Sequence, residues 1–151
     1  MFTKEERSTF SYWFAHWCAF QMTALNHRMW KPRYLLHDIE KPWMRLFMPY
    51  KKVQRWHRLH HKHHPEWLEA KLQSSVNYYD TIDYISKFNY QEMIIDWECS
   101  RFTKKASPLT ARQELEGFFN ESHASKYPEL TRCKEIFIEN CIDVINKYEF
   151  E

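Results

Sequence analysis

The sequence predicts an all-α fold, a single domain of about six helices. Hydrophobic and aromatic residues recur at three- and four-residue steps in several segments, which is the spacing of one helical face. Glycine occurs once in 151 residues, at Gly117, whereas hairpin-rich β folds need glycine in their tight turns. No segment shows a convincing strand pattern, and the length suits one domain, residues 1–151, with a sizeable core.

The first helix is predicted from a capping box and a run of apolar residues. Thr3 and Glu6 have the spacing of the capping box. The apolar positions that follow are Phe10, Trp13, Trp17, Phe20 and Ala24. The helix should end before Pro32, because the residue that precedes a proline avoids the α conformation.

Two helices are expected in the histidine-rich middle of the chain. The second helix is predicted to begin near Arg33 and to carry the residues from Tyr34 to Ile39. Pro42 and Pro49 bracket a break, and the third helix is predicted over 50–64, closing near Pro65.

The remaining helices are predicted in the C-terminal half. One is expected over the second half of Ser74–Asn89 and another over Tyr90–Phe102. A third should follow a Thr110–Gln113 capping box. The last is expected from about Pro128, and the residues on one of its faces are Cys133, Phe137, Cys141, Val144 and Tyr148. Pro65–Asn77 and Phe102–Leu109 are predicted to be loops within the domain, not linkers between domains.

Composition excludes several function classes. With one glycine, the chain has neither a G-x-G-x-x-G loop nor a Walker A motif. The net charge is +2, and the basic residues are scattered, so the sequence gives no clear nucleic-acid signal. No stretch of about 18 apolar residues exists, and therefore no membrane span is expected.

The cysteines favour a reducing compartment. The four cysteines, Cys18, Cys99, Cys133 and Cys141, form no C-x-x-C pair, which argues against a zinc ribbon or a redox pair. Reduced thiols in or near a core are the simplest interpretation. Since the N-terminus also lacks a signal-peptide apolar region, we expect a cytoplasmic location.

The nine histidines are the anomaly of the composition. Five of them lie in one eight-residue window: His57, His60, His61, His63 and His64. On a continuous helix all except His63 would share one face. Elsewhere His37 and Asp38 are adjacent, and Asp96 lies among apolar neighbours. Imidazole and carboxylate without thiolate favour a catalytic metal site with open positions; the alternatives are a solvated polar helix face and a tract that buffers metal loosely.

Three runs of residues carry a resemblance to a known family. They are His37-Asp-Ile-Glu-Lys41-Pro42, His57-Arg-Leu-His-His61-Lys-His63-His64-Pro65-Glu66 and Glu92-Met-Ile-Ile-Asp96-Trp97. In this order they resemble the HD-domain metal-dependent phosphohydrolase superfamily, and more closely a small uncharacterised HD-like family of bacteria and phages. The resemblance covers about residues 16–120. This chain departs from the family's runs where Glu40 replaces Gly or Ser and His61 replaces Asn.

The resemblance implies a compact HD-like bundle around a metal site. The implied ligands are His16, His37, Asp38, His57, His64 and Asp96. They would hold one or two divalent transition metals (Mn, Fe, Ni, Co or Zn), with no organic cofactor. Geometry adds a condition: a straight helix from His16 to Trp30 is about 21 Å long, but the return from Arg33 to His37 covers only about 6 Å. The first helix must therefore break early, near Asn26, or His27 replaces His16 as the ligand.

The resemblance also implies a reaction. Metal-activated water would hydrolyse a phosphate ester, of a nucleotide or a related small molecule. Lys41, His61, His63 and Glu92 are the implied catalytic residues: Lys41 steadies phosphoryl charge, the two histidines donate a proton, and Glu92 accepts a proton or orients a ligand. The alternatives are a di-iron oxygenase, an inactive metal- or nucleotide-binding module, and a helical interaction protein with an aromatic partner groove. The sequence leaves open whether the chain forms a homodimer.

Overall fold

The computed structural model describes residues 1–105 and 108–151, and within them the chain is all-α. The ten α-helices are α1 (Phe10–Asn26), α2 (Glu40–Met44), α3 (Tyr50–His60), α4 (Pro65–Gln73), α5 (Tyr78–Lys87), α6 (Tyr90–Ser100), α7 (Ala111–Phe118), α8 (Glu121–Lys126), α9 (Pro128–Arg132) and α10 (Lys134–Lys147). Short 3-10 helices cover Glu5–Ser8 and Pro32–Leu36. The predicted fold class is confirmed, whereas the predicted number of about six helices is too low, mainly because proline and left-handed residues divide the chain into shorter pieces.

Helix α6 is the centre of the packing. It contacts α1 on one side and α7 and α10 on the other. Phe20 of α1, Ile94 and Ile95 of α6 and Phe137 of α10 are fully buried in one hydrophobic core. Burying side chains of this size contributes about 1.5–3 kcal/mol each, so this contact fixes α6 as the scaffold on which the site is built.

The N-terminal region differs from its prediction at both ends. The capping box is present, since the Thr3 amide donates to the Glu6 carboxylate at 2.7 Å, but it opens the 3-10 helix. Helix α1 has its own N-cap, Thr9. It ends at Asn26, before Arg28, which has a φ of 58° that a helix cannot accommodate. The early break that lets His16 reach His37 is therefore present.

The predicted second helix is wrong. The chain forms the 3-10 helix Pro32–Leu36, turns at His37 and Asp38, and begins α2 at Glu40. Asp38 has a φ of 56°, in the left-handed region, and this interrupts any helix. Such residues cluster at functional sites, where the surrounding structure holds them in place.

The third helix, predicted over 50–64, is shorter than expected. The loop predicted over Pro65–Asn77 is occupied for most of its length by helix α4. Helix α3 ends at His60 because Pro65 cannot donate a hydrogen bond to the carbonyl of His61 and its ring would clash there. Pro65 instead occupies the first turn of α4, where its missing N–H costs nothing. The residues 61–64 therefore form a turn rather than the last turn of a helix.

The C-terminal half follows its prediction more closely. Helix α6 lies where it is expected, α5 begins earlier than expected, at Tyr78, and the Thr110–Gln113 capping box opens α7. The predicted last helix is divided at Cys133 into α9 and α10. Of the predicted loop Phe102–Leu109, positions 106 and 107 lie outside the described residues. No helix in the described ranges is long and apolar enough to cross a bilayer.

Candidate metal site

Side chains of α1 hold the His37–Asp38 turn in place. Three residues spaced four apart on one face of α1 donate hydrogen bonds to carbonyls in the segment 34–38. The bonds run from Trp13 Nε1 to Asp38 O (2.8 Å), from Trp17 Nε1 to Leu35 O (3.1 Å) and from Gln21 Nε2 to Tyr34 O (2.7 Å). Phe20 stacks on the His37 ring at 3.7 Å between centroids. The aromatic face of α1 thus positions the His-Asp pair, which is a different use from the partner groove considered above.

Seven side chains meet beside this turn and form two overlapping groups that could hold metal ions. The first group is His16, His37, Asp38 and Asp96. The second group is Asp38, His57, His63 and His64. Within each group, one ligand atom from every residue lies within 4.8 Å of the others.

Asp38 belongs to both groups, and its two carboxylate oxygens face different histidines. Oδ2 lies 3.6 Å from His37 Nε2 and 3.9 Å from His16 Nε2. Oδ1 lies 2.9 Å from His57 Nε2 and 3.9 Å from His63 Nε2. The carboxylate therefore stands between the two groups, with one oxygen turned to each.

Helix α6 supplies the carboxylates opposite α1. Asp96 Oδ1 lies 2.9 Å from His16 Nε2 and 3.3 Å from His37 Nε2. Glu92 is one turn earlier on the same face of α6, as an i, i+4 spacing requires. Asn89 fixes it, since the Asn89 side chain caps α6 and its Nδ2 donates to Glu92 Oε2 at 2.9 Å.

The turn after α3 directs His63 and His64 inward. His63 is 3% exposed, and its Nε2 faces the cluster. His60, which the helical wheel placed on the same face as His57, instead lies on the surface and stacks on Trp56. The wheel assignment is wrong for His63 because it assumed a helix that continues to His64, whereas His60 does lie in α3 but at its exposed edge.

Two glutamates bind the outer nitrogens of the inward-facing histidines. Glu92 Oε1 lies 3.0 Å from His37 Nδ1 and 3.4 Å from His63 Nδ1. Glu40 Oε1 accepts a hydrogen bond from His57 Nδ1 and lies 2.9 Å from His61 Nε2. A proton held at Nδ1 leaves the lone pair of Nε2 free to face the cluster, which is the usual arrangement behind a metal-binding histidine.

Burial and charge set opposite protonation states across the cluster. Burial alone would lower the pKa of His37, but the neighbouring carboxylates, Asp38 foremost, raise it to about 10. Burial lowers the pKa of His63 to about 4, and it also holds the pKa of His64 well below the usual value. His63 and His64 are therefore neutral at pH 7, the form that binds metal, whereas a cation at His37 Nε2 must displace a proton.

The donor set fits a cation. Five buried inward-facing atoms make no well-aligned hydrogen bond in the described ranges: Nε2 of His37, His57, His63 and His64, and Oδ1 of Asp38. Of these, His57 Nε2 and Asp38 Oδ1 lie only 2.9 Å apart. A buried polar atom without a partner costs about 1–3 kcal/mol, and native proteins hold few of them. All five can serve as electron-pair donors, so a positive ion satisfies them together, and nitrogen and oxygen donors suit zinc, iron, manganese or nickel.

The predicted ligands form the cluster, and the predicted catalytic residues lie in it or beside it. The six predicted ligands all lie in the cluster, and His27 lies away from it, stacked on Phe150 and hydrogen-bonded to the carbonyl of Tyr148. Lys41 Nζ donates to Asp38 Oδ2 at 2.7 Å. His61, His63 and Glu92 surround the histidines as described above, and the proton-transfer roles expected of them stay predictions.

A cavity made of two adjoining parts borders the first group. Its inner part, about 90 Å³, is lined by His16, Asp38, His64 and Asp96 together with four basic residues, Arg7, Lys41, Arg58 and Lys104. Its outer part, about 210 Å³, shares Arg7, Tyr12, His16, Asp38, Lys41 and Tyr50 with the inner part and continues along Phe10, Trp13, Pro42 and Leu46. Both parts reach the first group through His16 and Asp38.

Sequence reasoning missed several of these residues. Glu40 was noted only as a departure from the family's runs, and its hydrogen bond to His57 depends on how α2 packs on α3. Arg7 and Lys104 lie far from the motifs in the chain and meet only because the strand-like pairing of Phe2 with Lys104 ties the two segments together. Of the basic residues that line the cavity, only Arg58 could have been placed near the site from sequence, because it directly follows His57.

Replacing Glu92 by glutamine is expected to weaken metal binding about 10–100-fold, the usual cost of losing a hydrogen-bond partner behind a ligand. The amide keeps the shape of the side chain but removes the charge that orients His37 and His63. Titration calorimetry with Mn²⁺ or Zn²⁺ measures the affinity. Glu116→Gln, on the exposed face of α7, is the matched control; an equal affinity in both variants would contradict the orienting role of Glu92.

Comparison with known proteins adds no family assignment. The similarity to HD-domain proteins rests on the three short runs of residues, and membership stays a prediction. A function must therefore be argued from the geometry and chemistry of the cluster itself. No protein-family model, no curated protein and no solved structure matches the chain.

Proposed function

We propose that the chain is a metal-dependent hydrolase of phosphate esters, with two divalent transition metals in its cluster. The first group would hold one ion and the second group the other, with Asp38 between them. The observation that carries the proposal is the division of the Asp38 carboxylate between two sets of histidines, beneath a cavity lined with basic side chains. Two metal ions held close together are a common arrangement for hydrolysing phosphate esters, since they stabilise both the attacking and the leaving oxygen.

The basic residues supply the binding of the phosphoryl group. When bound, a divalent metal supplies a hydroxide at neutral pH and polarises a phosphoryl oxygen. Lys41, Arg58 and Lys104 line the inner cavity and offer N–H donors to the remaining phosphoryl oxygens. Burial would lower the pKa of Lys41, but Asp38 raises it, so the ammonium is charged at neutral pH. These groups stabilise charge on the transferred phosphoryl group without themselves forming covalent bonds.

The reaction needs no protein nucleophile. The oxygen of water forms the new bond to phosphorus, the bond from phosphorus to the ester oxygen breaks, and one water proton ends on the alcohol that leaves. Cys99, the thiol nearest to the cluster, is buried, and burial raises its pKa well above the usual value. It therefore stays a thiol at neutral pH and takes no part as a nucleophile.

The test is phosphate release by the purified protein. After reconstitution with Mn, Fe, Ni, Co or Zn, we expect at least one metal to support hydrolysis of p-nitrophenyl phosphate or of nucleoside monophosphates, and the Asp38→Ala variant to be inactive. Oxygen uptake by the iron-loaded protein without phosphate release would indicate a di-iron oxygenase instead, since the same donors suit iron. Stoichiometric metal binding without any turnover would indicate a binding module and would overturn the hydrolase proposal.

A further inference from the structure

The two parts of the cavity differ in chemistry. The inner part brings Arg7, Lys41, Arg58 and Lys104 around the cluster, and the acids there, Asp38 and Asp96, are members of the metal-binding groups. The outer part is largely apolar, formed by Phe10, Trp13, Pro42, Leu46 and Val53. A ligand that fills both parts therefore needs an anionic end and an apolar end.

Three polar side chains of the outer part are already engaged in hydrogen bonds within the chain. The Thr9 hydroxyl donates to Glu6 O at 2.7 Å and also accepts the amide of Tyr12 as the N-cap of α1. Ser8 Oγ bonds to a backbone carbonyl within its own 3-10 helix, and Tyr50 accepts from Gln54 Nε2 at 2.5 Å. These three side chains therefore have less capacity to read the edges of a base or the hydroxyls of a sugar, and two further polar groups, Arg7 and Tyr12, lie where the outer part adjoins the inner part.

The cations also favour one phosphate over a chain of phosphates. Arg7 and Lys41 line both parts, but Arg58 and Lys104 belong to the inner part. Arg45, at the outer part, donates to the carbonyl of Met48 at 3.4 Å. Basic groups are thus concentrated in the inner part, where a single phosphoryl group would meet the metals, while the outer part carries exposed apolar side chains such as Phe10 and Leu46, 66% and 72% exposed.

We propose that the substrate is a phosphate monoester of an apolar alcohol or phenol, with the phosphate in the inner part and the apolar group between Phe10, Trp13 and Leu46. This inference rests on the proposed hydrolase function and narrows its substrate class. It departs from the nucleotide expected from sequence, because a nucleoside would place polar atoms against an apolar wall. Hydrolysis releases the apolar alcohol, which takes the proton from water, and inorganic phosphate.

Phosphonates test the pocket without turnover, since their carbon–phosphorus bond is not a substrate for ester hydrolysis. We would measure binding of phenylphosphonate and methylphosphonate by titration calorimetry to the protein reconstituted with Mn²⁺. Phenylphosphonate is expected to bind about tenfold or more tightly than methylphosphonate, because the ring buries apolar surface that the methyl group lacks.

Two neighbouring apolar residues provide a matched pair of variants. Leu46 lines the outer cavity, whereas Phe47, 85% exposed, does not, and neither is needed for the core. Leu46→Ala is expected to weaken phenylphosphonate binding about three- to tenfold and to leave methylphosphonate binding unchanged. Phe47→Ala should change neither.

The outcomes separate this inference from the proposed function. Preferential binding of phenylphosphonate without turnover of any phosphate ester would support the pocket and reject the hydrolase. Equal affinity for both phosphonates, or no binding of either, would overturn the inference about the substrate. Turnover of glycerol phosphate or nucleoside monophosphates as fast as that of phenyl phosphate would reject the apolar preference while the hydrolase proposal stands.

Discussion

Replacing Asp38 by alanine is expected to remove both metal ions and to lower turnover by about a thousandfold or more, as expected for losing the charge stabilisation of a metal centre. Asp38 is the one residue common to the two groups, and its carboxylate is 2% exposed. Without it, each group keeps only three of its four members and loses a negative charge close to the cation. Metal content of the untagged variant, measured by plasma mass spectrometry, checks the expectation.

Variants that alter only one of the two metal-binding groups test whether the loss of both ions is specific to Asp38. Asp96→Ala affects the first group alone and His64→Ala the second alone, so each should retain one of the two equivalents that the wild type binds. Circular dichroism before metal analysis separates metal loss from unfolding. If Asp38→Ala kept one full equivalent, or if Asp96→Ala lost both, the two groups would not be independent sites linked by Asp38, and the geometry proposed for them would be wrong.

The sequence made the residues of the cluster predictable but not its shape. His16, His37, Asp38, His57, His64 and Asp96 were chosen from short motifs and residue type, and the structure brings all six together. This was possible because ligand chemistry depends on residue identity, and because the order of the three runs resembles that of the family; the packing of α1 on α6 was not predicted. Helix rise left two alternatives, a break near Asn26 or His27 as the ligand, and the structure has the break.

The errors came from local backbone conformation. The wheel excluded His63 because it extended α3 through the turn that Pro65 imposes, and the predicted second helix ran through the left-handed Asp38. Pro65 and Asp38 are both visible in the sequence, yet neither a proline nor an aspartate dictates a turn on its own. The cavity could not be predicted at all, because Arg7, Arg58 and Lys104 converge only through tertiary packing of distant segments.

Removing metal is expected to lower the melting temperature of the wild-type chain by about 10–20 °C. The seven cluster residues come from α1, α3, α6 and the two turns at residues 37–38 and 61–64, so ions bound there link most of the N-terminal two thirds of the fold. Ligand at a hundred times its dissociation constant stabilises the folded state by about 2.7 kcal/mol per site. For two sites this is about 5 kcal/mol, and 1 kcal/mol corresponds to roughly 2–4 °C for a chain of this size.

Differential scanning calorimetry with and without a chelator measures this shift, and two variants define its origin. Asp38→Ala should melt at the same temperature in both conditions, since it holds no metal. Ile145→Val, in the fully buried core at α10, should lower the melting temperature by a few degrees in both conditions, because losing a buried methyl group costs about 0.5–1.5 kcal/mol whether or not metal is bound. A chelator effect of equal size in the wild type and in Asp38→Ala would mean that the stabilising ion binds elsewhere on the chain, and the cluster would then lose its role as a metal centre.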